Sequence, residues 1–371
     1  VVAEAVLEQM LRHQPNPHWA YQTSREPDEG LAASRAALAD LVGGRPDEIV
    51  FGPNMTPLTF HLARGLGRTF EPGDEIVVTE LDHMANVSPW IDLELERGVV
   101  VRTVPMDPES GDLDWEVFEA SVTDRTRVVA VTAASNALGT IVDLPRARSL
   151  ARSVGALLFV DAVHLAPHER INVATLGCDF LACSPYKFYG PHVGVLWGRA
   201  GYLTEVLPPK LAPAPEAAPE KWETGTLNHE GIAGAAAAVD FLAALAEGGT
   251  RSERLDAAFD ELSRRGDELI ARLWEGLESV NGVRLYGPRP GAPRTPTLSF
   301  TIEGHAPAEA AARLSSEWGL FLSHGDFYAS SVTARLDVEP AGLLRAGCAC
   351  YSNHEEVDRL IEAVGILEAG G

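Results

Sequence analysis

Short apolar, largely β-branched runs recur along the first two hundred residues, separated by amphipathic stretches. They are Glu48-Ile49-Val50-Phe51, Glu75-Ile76-Val77-Val78-Thr79, Val99-Val100-Val101-Arg102-Thr103-Val104, Arg127-Val128-Val129-Ala130-Val131-Thr132, Leu157-Leu158-Phe159-Val160-Asp161, Phe180-Leu181-Ala182-Cys183 and Gly194-Val195-Leu196-Trp197. Runs of this length, alternating with helical stretches, predict βαβ units around a mostly parallel sheet, an α/β fold. Ligands on such sheets gather beyond the carboxyl ends of the strands. Asn136, Asp161 and the segment Ser184 to Lys187 all follow strand ends in this reading.

The pattern changes after residue 200. Five prolines from Leu207 to Pro219 exclude a helix or an inner strand there and predict a surface loop. A polar motif, Trp222-Glu223-Thr224-Gly225-Thr226-Leu227-Asn228, follows it directly. Helices are expected from about 230 to 247 and from 251 to about 279, with strands near 283–286 and 296–302 and a helix at 354–368. The division this implies is a large domain over 1–250, with an N-terminal helical segment, and a smaller α+β domain over 251–371.

Composition narrows the function classes. At 371 residues and 46% apolar content the chain can bury a substantial core, and no apolar run approaches the length that crosses a bilayer. A net charge of −23 disfavours nucleic acid and anionic membrane surfaces, which require a basic face. Cys178, Cys183, Cys348 and Cys350 have neither zinc-site nor disulfide-framework spacing, so no metal is expected. Cys348 and Cys350 are read as packed thiols alternating along a strand. The chain opens on Val1 rather than Met and shows no signal-peptide pattern, and the default expectation is a soluble cytoplasmic enzyme.

Several residues could carry chemistry. Lys187 leaves one core strand while Asp161 closes the strand before it, the pairing that pyridoxal phosphate needs: an amine for a Schiff base and a carboxylate for the pyridine nitrogen. Taken singly, each is as ordinary as a loop lysine or a helix cap. Phe51-Gly52-Pro53-Asn54-Met55-Thr56-Pro57 joins a strand to a helix, with Thr56 suited to the N-cap and Pro57 to the first helical position. A phosphate there would meet free backbone N–H groups and the positive end of the helix dipole. Gly65-Leu66-Gly67 is no dinucleotide fingerprint, because Phe70 takes the third glycine's place. His83 could lie on an aromatic ring and pass protons, and His164 could bond a phenolic oxygen on a ring that Asp161 meets at its nitrogen.

These blocks, in this order, resemble the class V aminotransferase-fold enzymes that use pyridoxal phosphate, and within them the cysteine desulfurase and selenocysteine lyase group. The likeness runs from about residue 30 to the C-terminus and is most specific in Asp161-Ala162-Val163-His164 and in Ser184-Pro185-Tyr186-Lys187-Phe188-Tyr189-Gly190-Pro191. It implies fold type I. It also implies that Lys187 is the Schiff-base lysine and later the acid/base at Cα, with Asp161 at the ring nitrogen and His83 on the ring. Asn136 stands near the phenolic oxygen and His164 where the family often has glutamine. Met55, Thr56 and Ser184 resemble the phosphate cup, Tyr186 takes the place of a phosphate-binding histidine, and Thr226 looks like the threonine that reaches the phosphate in the neighbouring subunit of a homodimer. Arg345, in Leu344-Arg345-Ala346-Gly347, resembles the guanidinium that grips the substrate α-carboxylate.

One stretch departs from the group. Where a desulfurase carries its persulfide-forming cysteine, this chain reads Leu322-Ser323-His324-Gly325-Asp326-Phe327-Tyr328-Ala329. The expectation is therefore a C–S lyase acting on a small amino-acid substrate by β-elimination, without the usual persulfide cysteine. The alternatives are a class V aminotransferase or an amino-acid racemase, and, from a different class, a degenerate fold serving as a scaffold subunit.

Overall fold

The computed structural model describes residues 1–12 and 19–370. Its larger sheet contains β1 (Ile49–Gly52), β2 (Glu75–Thr79), β3 (Val100–Val104), β4 (Thr126–Thr132), β5 (Leu157–Asp161), β6 (Phe180–Cys183) and β7 (Gly194–Gly198). Their spatial order is β3-β2-β4-β5-β6-β7-β1. Alternate residues feed two cores: Val129, Val131, Leu158 and Val160 face one layer, while Val128, Ala130, Phe159 and Phe180 face the other. Burial on both faces is why these strands read as continuous apolar runs rather than as alternating ones.

The strands from β3 to β6 pair in parallel, whereas β7 is antiparallel to both β6 and β1. Two reversals cancel, so β1 runs with the parallel set. The carboxyl ends of β1, β2, β4, β5 and β6 therefore open on one edge, and the loops that carry Thr56, His83, Asn136, His164 and Lys187 leave from that edge. Gly194 at the start of β7 makes this crowding possible, because a Cβ there would collide with the backbone of Asn54.

A second sheet, antiparallel throughout, has the order β10 (Ser323–Gly325), β11 (Leu343–Gly347), β9 (Thr297–Ile302) and β8 (Val283–Tyr286). Its apolar face closes on Leu269 and Leu273 of the helix Arg251–Glu278 and on Leu360 of the helix His354–Ala369. The helices Val2–Arg12 and Gln22–Val42 pack on the helix His229–Ala243 of the larger unit. Among the described residues, no helix is long and apolar enough to cross a membrane.

Three local expectations change. The helix after β1 starts at Met55, not Pro57, because the extended Asn54 (φ −169°) turns its side-chain oxygen onto the Thr56 N–H at 3.0 Å. Pro57 then falls in the first turn, where its missing N–H costs nothing. The helix expected to reach residue 247 ends at Ala243, its last carbonyls taken up by tightened bonds from Ala244 and Leu245 ahead of Gly248 and Gly249. Cys348 and Cys350 lie beyond the end of β11 rather than on it: Cys348 packs on the small core, and the Cys350 N–H donates to the Tyr189 hydroxyl at 3.0 Å.

A buried ion pair ties β1 to the polar motif at 222–228. Arg35 makes a two-pronged contact with Glu223 at 2.8 and 2.6 Å and donates to the carbonyl of Ile49, while the Phe51 N–H donates to the same carboxylate. Thr224 to Thr226 stand exposed just past this anchor.

Candidate active site

A cavity of about 390 Å³ opens on the carboxyl edge of the large sheet and extends to the small one. Met55, Thr56, His83, Asn136, Asp161, His164, Tyr186, Lys187 and Arg345 all line it. Ser184 lies behind the wall, and Thr226 lines a separate groove of about 580 Å³ with His61, His192 and Trp222.

At the floor, β5 ends in Asp161, whose carboxylate accepts the Val163 N–H at 2.9 Å. Burial pushes this carboxyl up to about 6, against the pull of that bond and of the Lys187 charge. Lys187 closes the short turn Pro185–Lys187, its own N–H bonded to the Ser184 carbonyl at 2.9 Å. Burial lowers the pKa of its ammonium, the Arg345 charge adds to that, and Asp161 opposes it. The amine is thereby made more available as a nucleophile and base. Lys187 Nζ stands 5.5 Å from the centre of the Tyr186 ring, which in turn stacks on His192 at 4.9 Å.

At the helix N-terminus, the Met55 N–H donates to Ser184 Oγ at 3.0 Å and the Thr56 N–H to Asn54. The first two donors expected to be free for a phosphate are thus already engaged, and Pro57 brings none. What faces the cavity is Thr56, its hydroxyl backed by the positive helix end. Ser184 fastens the exit of β6 to that helix.

His83 caps the turn Met84–Asn86 and accepts the Ala85 N–H on Nδ1 at 3.0 Å, so its neutral form carries the proton on Nε2. Burial, then Lys187, lowers its pKa. The turn is held by Asp82, a fully buried carboxyl that accepts from Thr79 N–H (3.1 Å), Thr79 O–H (2.6 Å) and Asn86 Nδ2 (2.8 Å). Its burial pushes it up to about 7.

The far wall is the segment Gly325 to Tyr328. Phe327 (φ 58°) and Tyr328 (φ 55°) are both left-handed without being glycine, a strained arrangement that neighbours must hold. Asn136 Nδ2 donates to the Phe327 carbonyl at 2.9 Å, the Met84 N–H to the Tyr328 carbonyl at 2.8 Å, and the Tyr328 N–H to Asp326 at 3.0 Å. The rings of Tyr328 and His83 lie 5.4 Å apart. Arg345, opposite Ser323 across the β10–β11 ladder, donates to the Asn136 carbonyl at 2.6 Å and to Ser323 Oγ at 3.3 Å, and lies 4.2 Å from the Phe327 ring centre. Among the described residues it has no carboxylate partner, although a half-buried guanidinium calls for an anion. His164 turns Nε2 to the hydroxyls of Thr297 (3.1 Å) and Thr295 (3.2 Å).

The stretch Leu322 to Ala329, singled out in the sequence as the departure from the group, supplies the lining residues His324, Asp326, Phe327 and Tyr328. Sequence reading missed Asp82 and the two threonines behind His164. The spacing of Thr79, Asp82 and Asn86 was a usable signal for the first, and nothing local marks the threonines.

Pyridoxal phosphate fits these residues. A buried acid, an amine, an imidazole ring on the cavity wall and a threonine at a helix N-terminus match its nitrogen, aldehyde, ring and phosphate. Asn136 lines the cavity with its Nδ2 on the Phe327 carbonyl, and its Oδ1 is buried without a hydrogen-bond partner. Among the described residues, no group of three or more His, Cys, Asp or Glu side chains could hold a metal ion.

The sequence model of one family, aminotransferase class-V, matches residues 1–360. A probable cysteine desulfurase from Pseudomonas aeruginosa is 34% identical over 345 residues, covering 90% of this chain and 81% of that protein. A cysteine desulfurase from Pectobacterium carotovorum is 31% identical over 354 residues, with 91% and 82% covered. Among solved structures, an apo cysteine desulfurase from Thermococcus onnurineus NA1 superposes with a TM-score of 0.90 at 29% identity, covering 100% of this chain and 92% of that one. The S-sulfonic acid form of a cysteine desulfurase from Escherichia coli gives 0.85 at 28% identity, with 99% and 91% covered.

Proposed function

The chain belongs to the class-V aminotransferase family, whose members use pyridoxal phosphate, and we propose that it is a cysteine desulfurase-like C–S lyase releasing its sulfur group to solvent. The observation that carries this reading is the convergence of Lys187, Asp161 and the acid-free Arg345 on one cavity.

Lys187 would hold the cofactor's aldehyde carbon, Asp161 its ring nitrogen, His83 its ring face, Asn136 and His164 its phenolic oxygen, and Thr56 with Tyr186 its phosphate. When bound, the cofactor supplies an electron sink for charge developing at the substrate Cα. Arg345 pairs with the substrate carboxylate, which fixes the Cα–H bond relative to Lys187. Lys187, freed by the substrate amine, takes that proton. His83, with its proton on Nε2, would hand a proton to the sulfur leaving Cβ. For cysteine the balance is one water consumed, with pyruvate, ammonium and hydrogen sulfide formed.

Release to solvent is favoured by the thiols' positions. Among the described residues, no cysteine lines this cavity. Cys348 and Cys350 border another crevice beside His168, and burial pushes the Cys178 and Cys183 thiols up to about 12, where no thiolate forms at neutral pH. Incubation of the holoenzyme with cysteine and simple S-substituted cysteines should give pyruvate with no added α-keto acid. Strict dependence on an α-keto acid, or racemised substrate as sole product, would overturn the reading in favour of an aminotransferase or a racemase.

Two copies pair in this reading, with Thr226 reaching the partner subunit's phosphate site. Support comes from the exposed Thr224 to Thr226 segment, held at its root by Glu223, and from the open groove beside it. The division at residue 250 is supported by the separate core of the second sheet.

A further inference from the structure

His164 presents a tautomer problem that its neighbours solve. Its Nε2 lies 3.1 Å from Thr297 Oγ1 and 3.2 Å from Thr295 Oγ1. Thr297 is buried, and Nε2 is the one partner of its hydroxyl among the described residues. A buried O–H without an acceptor is costly, so the Thr297 proton points to Nε2. The Thr295 hydroxyl divides its proton between the Gly139 carbonyl at 3.4 Å and the same nitrogen. An Nε2 that accepts has no proton of its own, which leaves the proton of the neutral ring on Nδ1. Nδ1 has no protein partner and is not among the buried orphaned atoms, and the ring lines the cavity. It is therefore open to whatever fills that space.

We propose that Thr297, seconded by Thr295, is a positioning residue that fixes His164 as the Nδ1–H tautomer and so turns a hydrogen-bond donor toward the phenolic oxygen of the bound cofactor. The inference rests on the cofactor occupying this cavity and not on the fate of the sulfur. Both threonines come from the segment that opens β9, so the small sheet sets a property of a ring held by the large one. The other groups facing His164 are the ring of His168 at 5.4 Å and the charges of Arg345 and Lys187, all of which, with burial, keep His164 neutral. A donor at the phenolic oxygen spreads its charge and weakens its hold on the proton of the neighbouring nitrogen.

The test is a spectrophotometric pH titration of holoenzyme carrying pyridoxal phosphate, read as the midpoint of the change in the bound cofactor's absorption band. Thr297→Val should raise that midpoint by roughly one pH unit, the size of one hydrogen bond to a charged oxygen. Thr297→Ser, which keeps the hydroxyl, should leave it where it is in the unaltered protein. In a His164→Gln background, where the amide donor has no tautomer, Thr297→Val should produce no shift. An equal shift in both backgrounds, or none in either, would overturn the proposal. Should Thr297→Val fold poorly, ¹⁵N spectra of histidine-labelled holoenzyme assigned by His164→Gln decide the matter, since an Nε2–H tautomer contradicts it. If the midpoints behave as expected and no pyruvate forms, the lyase reading fails alone. If pyruvate forms and the midpoints do not move, this inference fails alone.

Discussion

The floor and the far wall of the cavity are built on opposite terms. The floor, Asp161, His164 and Lys187, sits at the ends of buried parallel strands, and its backbone follows from the strands themselves. The wall, Gly325 to Tyr328, is a strained segment whose shape depends on Asn136 and Met84 holding it from outside and on Asp326 bracing it from within. Chemistry common to a whole family belongs on the first kind of support. Selection among substrates belongs on the second, where a side chain can change without disturbing the sheet.

The largest effect should come from removing the floor's amine. Lys187→Ala is expected to lower the rate of pyruvate formation by roughly 10²- to 10⁴-fold, since the general base is lost while the strands stay intact. Activity within a few-fold of the unaltered protein would show that another group takes the Cα proton. Next is the junction of floor and wall. Arg345→Lys should reduce kcat/KM by about 10- to 100-fold, because an ammonium does not reproduce the guanidinium fork or its stacking on Phe327. Full recovery by lysine would mean that the carboxylate is gripped elsewhere.

A third experiment asks how two buried acids, Asp161 of the floor and Asp82 behind His83, shape the fold's pH response. The carboxyls of Asp82 and Asp161 lie at about 7 and about 6, above the 3.8 of a free aspartate, so the folded chain holds protons that the unfolded chain has released. Their contribution is complete below the unfolded value and is lost as pH rises through about 7. The lowered histidines His83, His164 and His168 act in the opposite sense, so the readout is a difference: between pH 5 and pH 8 the denaturant midpoint of the unaltered protein should fall relative to that of Asp82→Asn. Superimposable slopes would contradict the assignment. The smallest effect belongs to the wall: Tyr328→Gly, which suits the left-handed backbone, should leave unfolding free energy within about 1 kcal/mol while raising KM. A much larger loss of stability would put Tyr328 among the residues that hold the fold.

What could be read ahead of the structure follows the same line. Asp161 and Lys187 were legible because a strand that is buried on both faces announces itself as an apolar run, and the residue after it must stand at the sheet's edge. The cap at Asn54 was misplaced by two residues, since Ser, Thr and Asn all cap well and only backbone geometry chooses among them. Met55 and Ser184 were each singled out as phosphate ligands. Their bond to one another depends on β6 and the helix meeting, which spacing does not encode. Thr295, Thr297 and Ser323 carry no local mark, because their partners lie more than a hundred residues away or across a strand pair.

The carboxylate of Glu223 receives both Arg35 and the Phe51 N–H, one step before the chain turns to Asn54 and Met55. On one side of it the backbone goes on to the mouth of the cofactor cavity, and on the other to the exposed Thr224 to Thr226 segment. A single acidic group thus fastens a pocket rim and a surface loop to the same point, a link that runs outside the hydrophobic core.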